Sequence, residues 1–153
     1  MKWNIDTTHA NVDFSVKHMA ISTVRGAFNV FNGTGETDAA GVPTRIQMEI
    51  DATSITTNNE QRDGHLKSPD FFDVANHPTI SFKSTAVRAN GKNAWLVVGD
   101  LTLHGVTKSL TLPVRALGPI TDPRGTVKYG FETEATINRK DYGITWNAAL
   151  ETG

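Results

Sequence analysis

The chain has 153 residues, a formal net charge of −1 and 20% charged residues. That length suits one domain with a real core, and the balanced charge excludes nucleic acid and anionic membrane surfaces as partners chosen by bulk electrostatics. The absence of cysteine removes thiol catalysis, disulfides and CxxC metal sites together.

The opening MKWNIDTTHA lacks an apolar signal core, and no run approaches the ~18 apolar residues of a spanning helix. A cytoplasmic location without stable membrane insertion is expected, or a periplasmic one for a processed form. Val12, Phe14 and Val16 alternate with polar neighbours, a period of two that buries one face of a strand and extends to His18. A second strand is predicted over Val24 to Phe31, with Val24, Phe28 and Val30 in phase. Asp38 to Gly41 reads as a type I turn, and Ile46, Met48 and Ile50 form the next alternating strand.

The stretch from Asp51 to Ser84 is the one long break in this rhythm. Thr57 and Glu60 have the spacing of a capping box, so a short helix is predicted near Asn58 to Lys67, followed by a single turn through Phe71. With little apolar surface beyond Leu66, this helix must be docked by neighbours. Phe71 and Phe72 can do that, at roughly 1.5–3 kcal/mol each if fully buried.

Ile80 and Phe82 resume the strands. Asn90-Gly91 signals a hairpin; Trp95, Val97, Leu101 and Leu103 share a face with Gly99 between them. His104-Gly105 is a further tight turn before Leu110, Leu112 and Val114. Beyond the turn at Asp122 to Gly125, the longest alternation runs from Val127 through Tyr129, Phe131, Thr133 and Ala135 to Ile137. Successive hairpins with no βαβ rhythm make this an all-β antiparallel sandwich or barrel with a short helical insert near residues 58–72. Gly99, Ala135 and Gly26 on inner faces suggest unfilled volume for a ligand; bends required for curvature account equally well for the glycines.

The segments WNID, VKHM at 16–19, RGAFNVFNG at 25–33, IDATSITTNNEQRDGHLKSPDFFD at 50–73, HPTISFKS at 77–84, GDLTLHGVTKSLTL at 99–112 and INRKDYGITWN at 137–147 span nearly the whole chain as one domain, 1–153. In this order they resemble the YceI-like family. The resemblance implies a lipocalin-like barrel enclosing a long apolar pocket for an isoprenoid lipid, a polyprenyl phosphate or quinone-like molecule, bound as by a carrier, store or scavenger. Members of that family usually continue past the segment matching NAALETG with one more strand, which is absent here after Gly153. Either the sequence is shortened, or a neighbouring chain covers the open edge, as in a homodimer.

The pocket walls expected on this reading are Phe14, Val16, Phe28, Val30, Met48, Phe82, Trp95, Val97, Leu112, Tyr129 and Phe131, residues that ordinary core packing would also explain. His18 shares the face of Phe14 and Val16. Head-group candidates are His18, Arg25, Arg62, His65, Lys67 and Arg139, because guanidinium and imidazole groups donate well to phosphate. Salt bridges that tie the insert and last loop to the barrel would use Arg62 and Arg139 instead. No GxSxG, HExxH, P-loop or GxGxxG motif is present, and the histidines at 9, 18, 65, 77 and 104 share no ligand-like spacing. The chain is therefore expected to be no enzyme and to need no metal or cofactor beyond a bound isoprenoid lipid. The alternative is an enzyme or redox accessory acting on a pocket-bound quinone or amphiphile, with His18 or His65 as the acid–base residue.

Overall fold

The computed structural model describes residues 1–18 and 22–146, with His18 described by its backbone alone. Among the described residues ten strands form, at Lys2–Asn4 (β1), Asp13–His18 (β2), Ser22–Phe28 (β3), Phe31–Thr37 (β4), Pro43–Asp51 (β5), Ile55–Thr56 (β6), Thr79–Ala89 (β7), Ala94–Leu103 (β8), Val106–Thr121 (β9) and Val127–Thr133 (β10). An α-helix, α1, covers Glu60–Lys67. A seven-stranded antiparallel sheet runs in the order β1-β4-β5-β7-β8-β9-β10, and β2-β3-β6 make a second, smaller sheet. The large sheet curls into a half-barrel, as the expected all-β, lipocalin-like class requires.

Cross-strand register identifies its inner face. Met48 lies opposite Phe82, which lies opposite Leu101; Val97 pairs with Val87 and Leu112; Trp95 pairs with Val114. Thr133 faces Val114 and Phe131 faces Ala116, so β10 continues the same face. The core divides in two along the strands. Phe82, Val97 and Val114 form a central cluster with Ile46, Met48, Val87 and Leu112 packed against it. At one end of the strands, Phe28 and Ile55 of the small sheet meet Ile80, Leu103, Tyr142 and Ile144, with Phe14, Phe71 and Phe72 around them. The insert and the small sheet thus plug one end, while the turns at 38–41 and 90–93 mark the other.

Three boundaries differ from the sequence expectation. The strand expected through Val24 to Phe31 is cut at Asn29-Val30, where the chain steps from the small sheet to the large one: Asn29 N–H donates to the Ser54 carbonyl at 3.3 Å, and Val30 accepts from Asp51 N–H at 2.9 Å. The helix is capped by Asn59, whose side chain accepts from Arg62 N–H at 3.0 Å, because Thr57 is engaged with Asp63 and Arg62. The long alternation beyond Val127 stops at Thr133. The next partner on β9 would be Pro113, which has no N–H and whose carbonyl accepts Thr133 Oγ1 at 2.7 Å. Residues 147–153, including the segment matching NAALETG, lie outside the described residues.

Candidate functional site

The expected pocket walls separate into three groups. Phe28, Phe82 and Val97 are buried, Val97 completely, and Phe14, Met48 and Leu112 are half-buried against them; these six are packed core. Trp95 and Tyr129 are half-buried on the inner face, and Phe131 is 50% exposed there. Val16 and Val30 are 49% and 57% exposed. Val30 lies in the step between β3 and β4 and lines a depression of about 290 Å³ with Phe31, Ile50 and Pro78, away from the other walls. The side chain of His18 lies outside the described residues.

The glycines expected to leave room do not. A Cβ on Gly99 would come within 2.5 Å of the Phe82 ring and of the Lys83 carbonyl oxygen, and one on Gly26 would collide with the Phe14 ring. Each ring lies over its glycine, so the small residues buy close packing rather than a void. Ala135 falls beyond the end of β10 and is exposed. The apolar surface left accessible on the inner face therefore lies beyond Val114, at the end away from the insert, where Phe131, Trp95, Tyr129 and Trp3 gather.

At the other end the insert is held by polar contacts. Thr57 N–H and hydroxyl donate to Asp63 Oδ1 at 2.8 and 2.5 Å. Arg62 Nε and Nη2 donate to Thr57 Oγ1 and the Thr57 carbonyl at 2.8 and 3.0 Å. His65 Nε2 lies 2.9 Å from Asp70 Oδ2, and its ring is edge-on to both Phe71 and Trp146, with centroids 5.0 and 4.6 Å away. Arg139 Nη1 donates to the Trp146 carbonyl at 2.6 Å while its guanidinium lies 5.9 Å from the Phe71 ring centroid. Arg62, His65 and Arg139 are thus engaged in tying the insert and the last turn together. The two remaining cations, Arg25 and Lys67, make no side-chain hydrogen bond or ion pair among the described residues. Arg25 is exposed beside Asp13, Phe14 and Asn58 around a depression of about 360 Å³, and Lys67 is half-buried. Tyr142, buried at the base of this end, has its phenol pushed above its ordinary value, first by burial and then by the negative charge of Asp141.

One cluster escapes any reading by spacing. Asp73 and His77, at the end of the insert, meet His104 in the β8–β9 turn, with one ligand-type atom of each within 4.8 Å of the others. The 27-residue separation of the two histidines conceals a pairing that only the fold creates.

Against known proteins, residues 3–153 match the YceI-like domain. A UPF0312 protein of Pseudomonas paraeruginosa is 42% identical over 137 residues, 89% of this chain and 71% of its own length. The crystal structure of a Campylobacter jejuni YceI protein superposes with a TM-score of 0.79 at 28% identity, covering 95% of this chain and 86% of that one. A polyisoprenoid binding domain from Saccharophagus degradans shares the fold, with a TM-score of 0.70 at 18% identity over 94% of this chain and 81% of its own. Matched over residues 3–153 and, over 89% of its length, 42% identical to the Pseudomonas paraeruginosa protein, this chain belongs to the YceI-like family.

Proposed function

We propose that this protein binds an isoprenoid-type lipid on the inner face of its curled sheet and serves as a carrier, store or scavenger for it. The observation that carries the reading is Phe131, a phenylalanine half exposed on the same face as the buried Val97 and Val114. With Trp95, Tyr129 and Trp3 it leaves apolar surface in water that a lipid tail would cover, and each methylene so buried contributes about 0.8 kcal/mol. The polyisoprenoid binding domain that shares this fold supports the same ligand class. The polar contacts of the insert serve to hold it in place, which favours a binding role over an acid–base one for His65.

The test is mass spectrometry of an organic extract from protein purified without detergent, for wild type and Phe131→Glu. A stoichiometric isoprenoid retained by wild type and lost from a folded Phe131→Glu protein is the expected result. A folded Phe131→Glu variant that retains the lipid at full stoichiometry places the tail elsewhere and overturns the reading.

A further inference from the structure

From the convergence of Asp73, His77 and His104 we infer a divalent-cation site of the zinc class, which clips the end of the insert to the β8–β9 turn. Two imidazoles and one carboxylate are the protein ligand set of a three-ligand zinc site, in which water completes the tetrahedron.

Each residue is placed by local backbone structure. Asp73 sits at φ 47°, and its backbone closes a turn on Ser68: Asp73 N–H donates to the Ser68 carbonyl at 3.0 Å, and His77 N–H donates to the Asp73 carbonyl at 2.9 Å. That turn brings His77 Nε2 to 4.0 Å from Asp73 Oδ2. His104 has φ 54° and Gly105 φ 73°, so both central residues of the two-residue β8–β9 turn are left-handed. The glycine is required twice there: a Cβ at Gly105 would come within 2.7 Å of the His77 ring. His77 and His104 consequently meet edge to face, with ring centroids 5.0 Å apart.

The decisive detail is on the far side of His104. Its Nδ1 lies 2.9 Å from the Tyr142 carbonyl oxygen, which can only accept, so Nδ1 carries the hydrogen and the lone pair of the neutral ring is at Nε2. A backbone carbonyl fixing the tautomer from behind is the usual support of a metal-binding histidine. Asp73 is steadied in a similar way by Asn76 Nδ2, at 3.0 and 3.2 Å from its two oxygens. Ligand atoms no more than 4.8 Å apart lie on a triangle that closes on a cation at about 2.0–2.1 Å when each moves inward by less than about 1 Å. A bound cation would join three segments: the end of the insert, the β8–β9 turn and, through His104, the turn at Arg139–Tyr142. The site is at the insert end and does not depend on the lipid reading.

The experiment uses the untagged, chelator-treated full chain. Zinc binding is followed by calorimetry, thermal unfolding is followed with increasing zinc, and cobalt substitution is followed by its visible spectrum. One equivalent of zinc, a melting temperature that rises with zinc concentration, and the intense visible bands of tetrahedral cobalt are expected. His77→Gln and Asp73→Asn should each weaken zinc binding by at least about tenfold, while His9→Gln and His65→Gln leave it unchanged. Absence of stoichiometric binding to wild type overturns the site on its own, whatever the variants do. So does binding that survives both His77→Gln and Asp73→Asn.

Discussion

Trp3 and Tyr129 meet edge to face, with ring centroids 4.9 Å apart and planes at 83°, although they belong to the two opposite edge strands of the seven-stranded sheet. The sheet has therefore curled until its edges touch, and side chains join them where the strand order provides no ladder. Trp3 is anchored on its own side, its Nε1 donating to Thr37 Oγ1 at 2.7 Å. A few residues away Lys128 Nζ reaches Asp6 Oδ2 at 3.4 Å across the same gap.

If this pair closes the half-barrel, removing one ring should loosen both edges. Tyr129→Ala is expected to cost about 1–2 kcal/mol in urea denaturation, an aromatic pair contributing about 0.5–1.5 kcal/mol beyond its buried area. Tyr129→Phe should retain most of that stability, since the contact is made by the ring. Unchanged stability in Tyr129→Ala would show that the edges are held together by something else.

Two glycines should respond to alanine with opposite signs. At Gly99 the added methyl meets the Phe82 ring and the Lys83 carbonyl oxygen, both at 2.5 Å, so Gly99→Ala is expected to destabilise by about 1–3 kcal/mol. Trimming the ring with Phe82→Leu should recover only part of this, because the carbonyl cannot withdraw. At Gly64, within α1, a methyl meets nothing within 4 Å, and Gly64→Ala should stabilise by about 0.5–1 kcal/mol. Thermal melts of the two variants decide the matter; shifts of the same sign would refute the packing argument.

The same glycines show where sequence was readable and where it was not. Period-two alternation placed Met48, Phe82, Val97 and Leu112 on one inner face, and the cross-strand register confirms that face. Turn chemistry located Asp38–Gly41, Asn90-Gly91 and His104-Gly105, because positive φ is demanded there and few residues supply it. Periodicity carries no information on what stands above a small residue, so it could not tell a void at Gly99 from a ring lying over it. Nor could it see Pro113 ending β10, or His77 meeting His104, since both depend on which strand lies alongside. Thr57 departs from the capping-box expectation for a related reason: the spacing to Glu60 is local, whereas the carboxylate that engages Thr57 belongs to Asp63.

That engagement gives a prediction for the insert. Thr57 is buried, and Arg62 satisfies both its hydroxyl and its carbonyl. Arg62→Met removes the donors and leaves a buried carbonyl without a partner, which costs about 1–3 kcal/mol. Hydrogen exchange should show the loss concentrated in residues 57–67, with the strands little changed. Arg62→Lys should fail to restore it, since one ammonium cannot reproduce the two-nitrogen grip. Protection in 57–67 equal to wild type would remove Arg62 from the role of anchor.

Acid should act through Asp6, which caps the single helical turn at Thr7–His9 after β1. Its carboxylate accepts from Thr8 Oγ1 at 2.6 Å and from Thr8 N–H at 3.1 Å, and lies 2.9 Å from His9 Nδ1. The Thr8 hydroxyl first, then His9, hold this carboxyl far below its ordinary value of 3.8. A carboxyl depressed in the folded state binds its proton more readily when the chain unfolds. Its contribution is therefore complete above about pH 4 and is lost as the pH falls through the lower folded value. Asp6→Asn lacks that contribution at every pH, so wild type should be the more stable at pH 6 and the difference should shrink as the pH falls below about 4. Urea denaturation of both proteins at several pH values measures it, and a difference that stays constant into acid would exclude Asp6 as a source of the acid sensitivity. Salt should reduce the gap only slightly, because the exposed pair with Lys128 is screened while the hydrogen bonds from Thr8 are local.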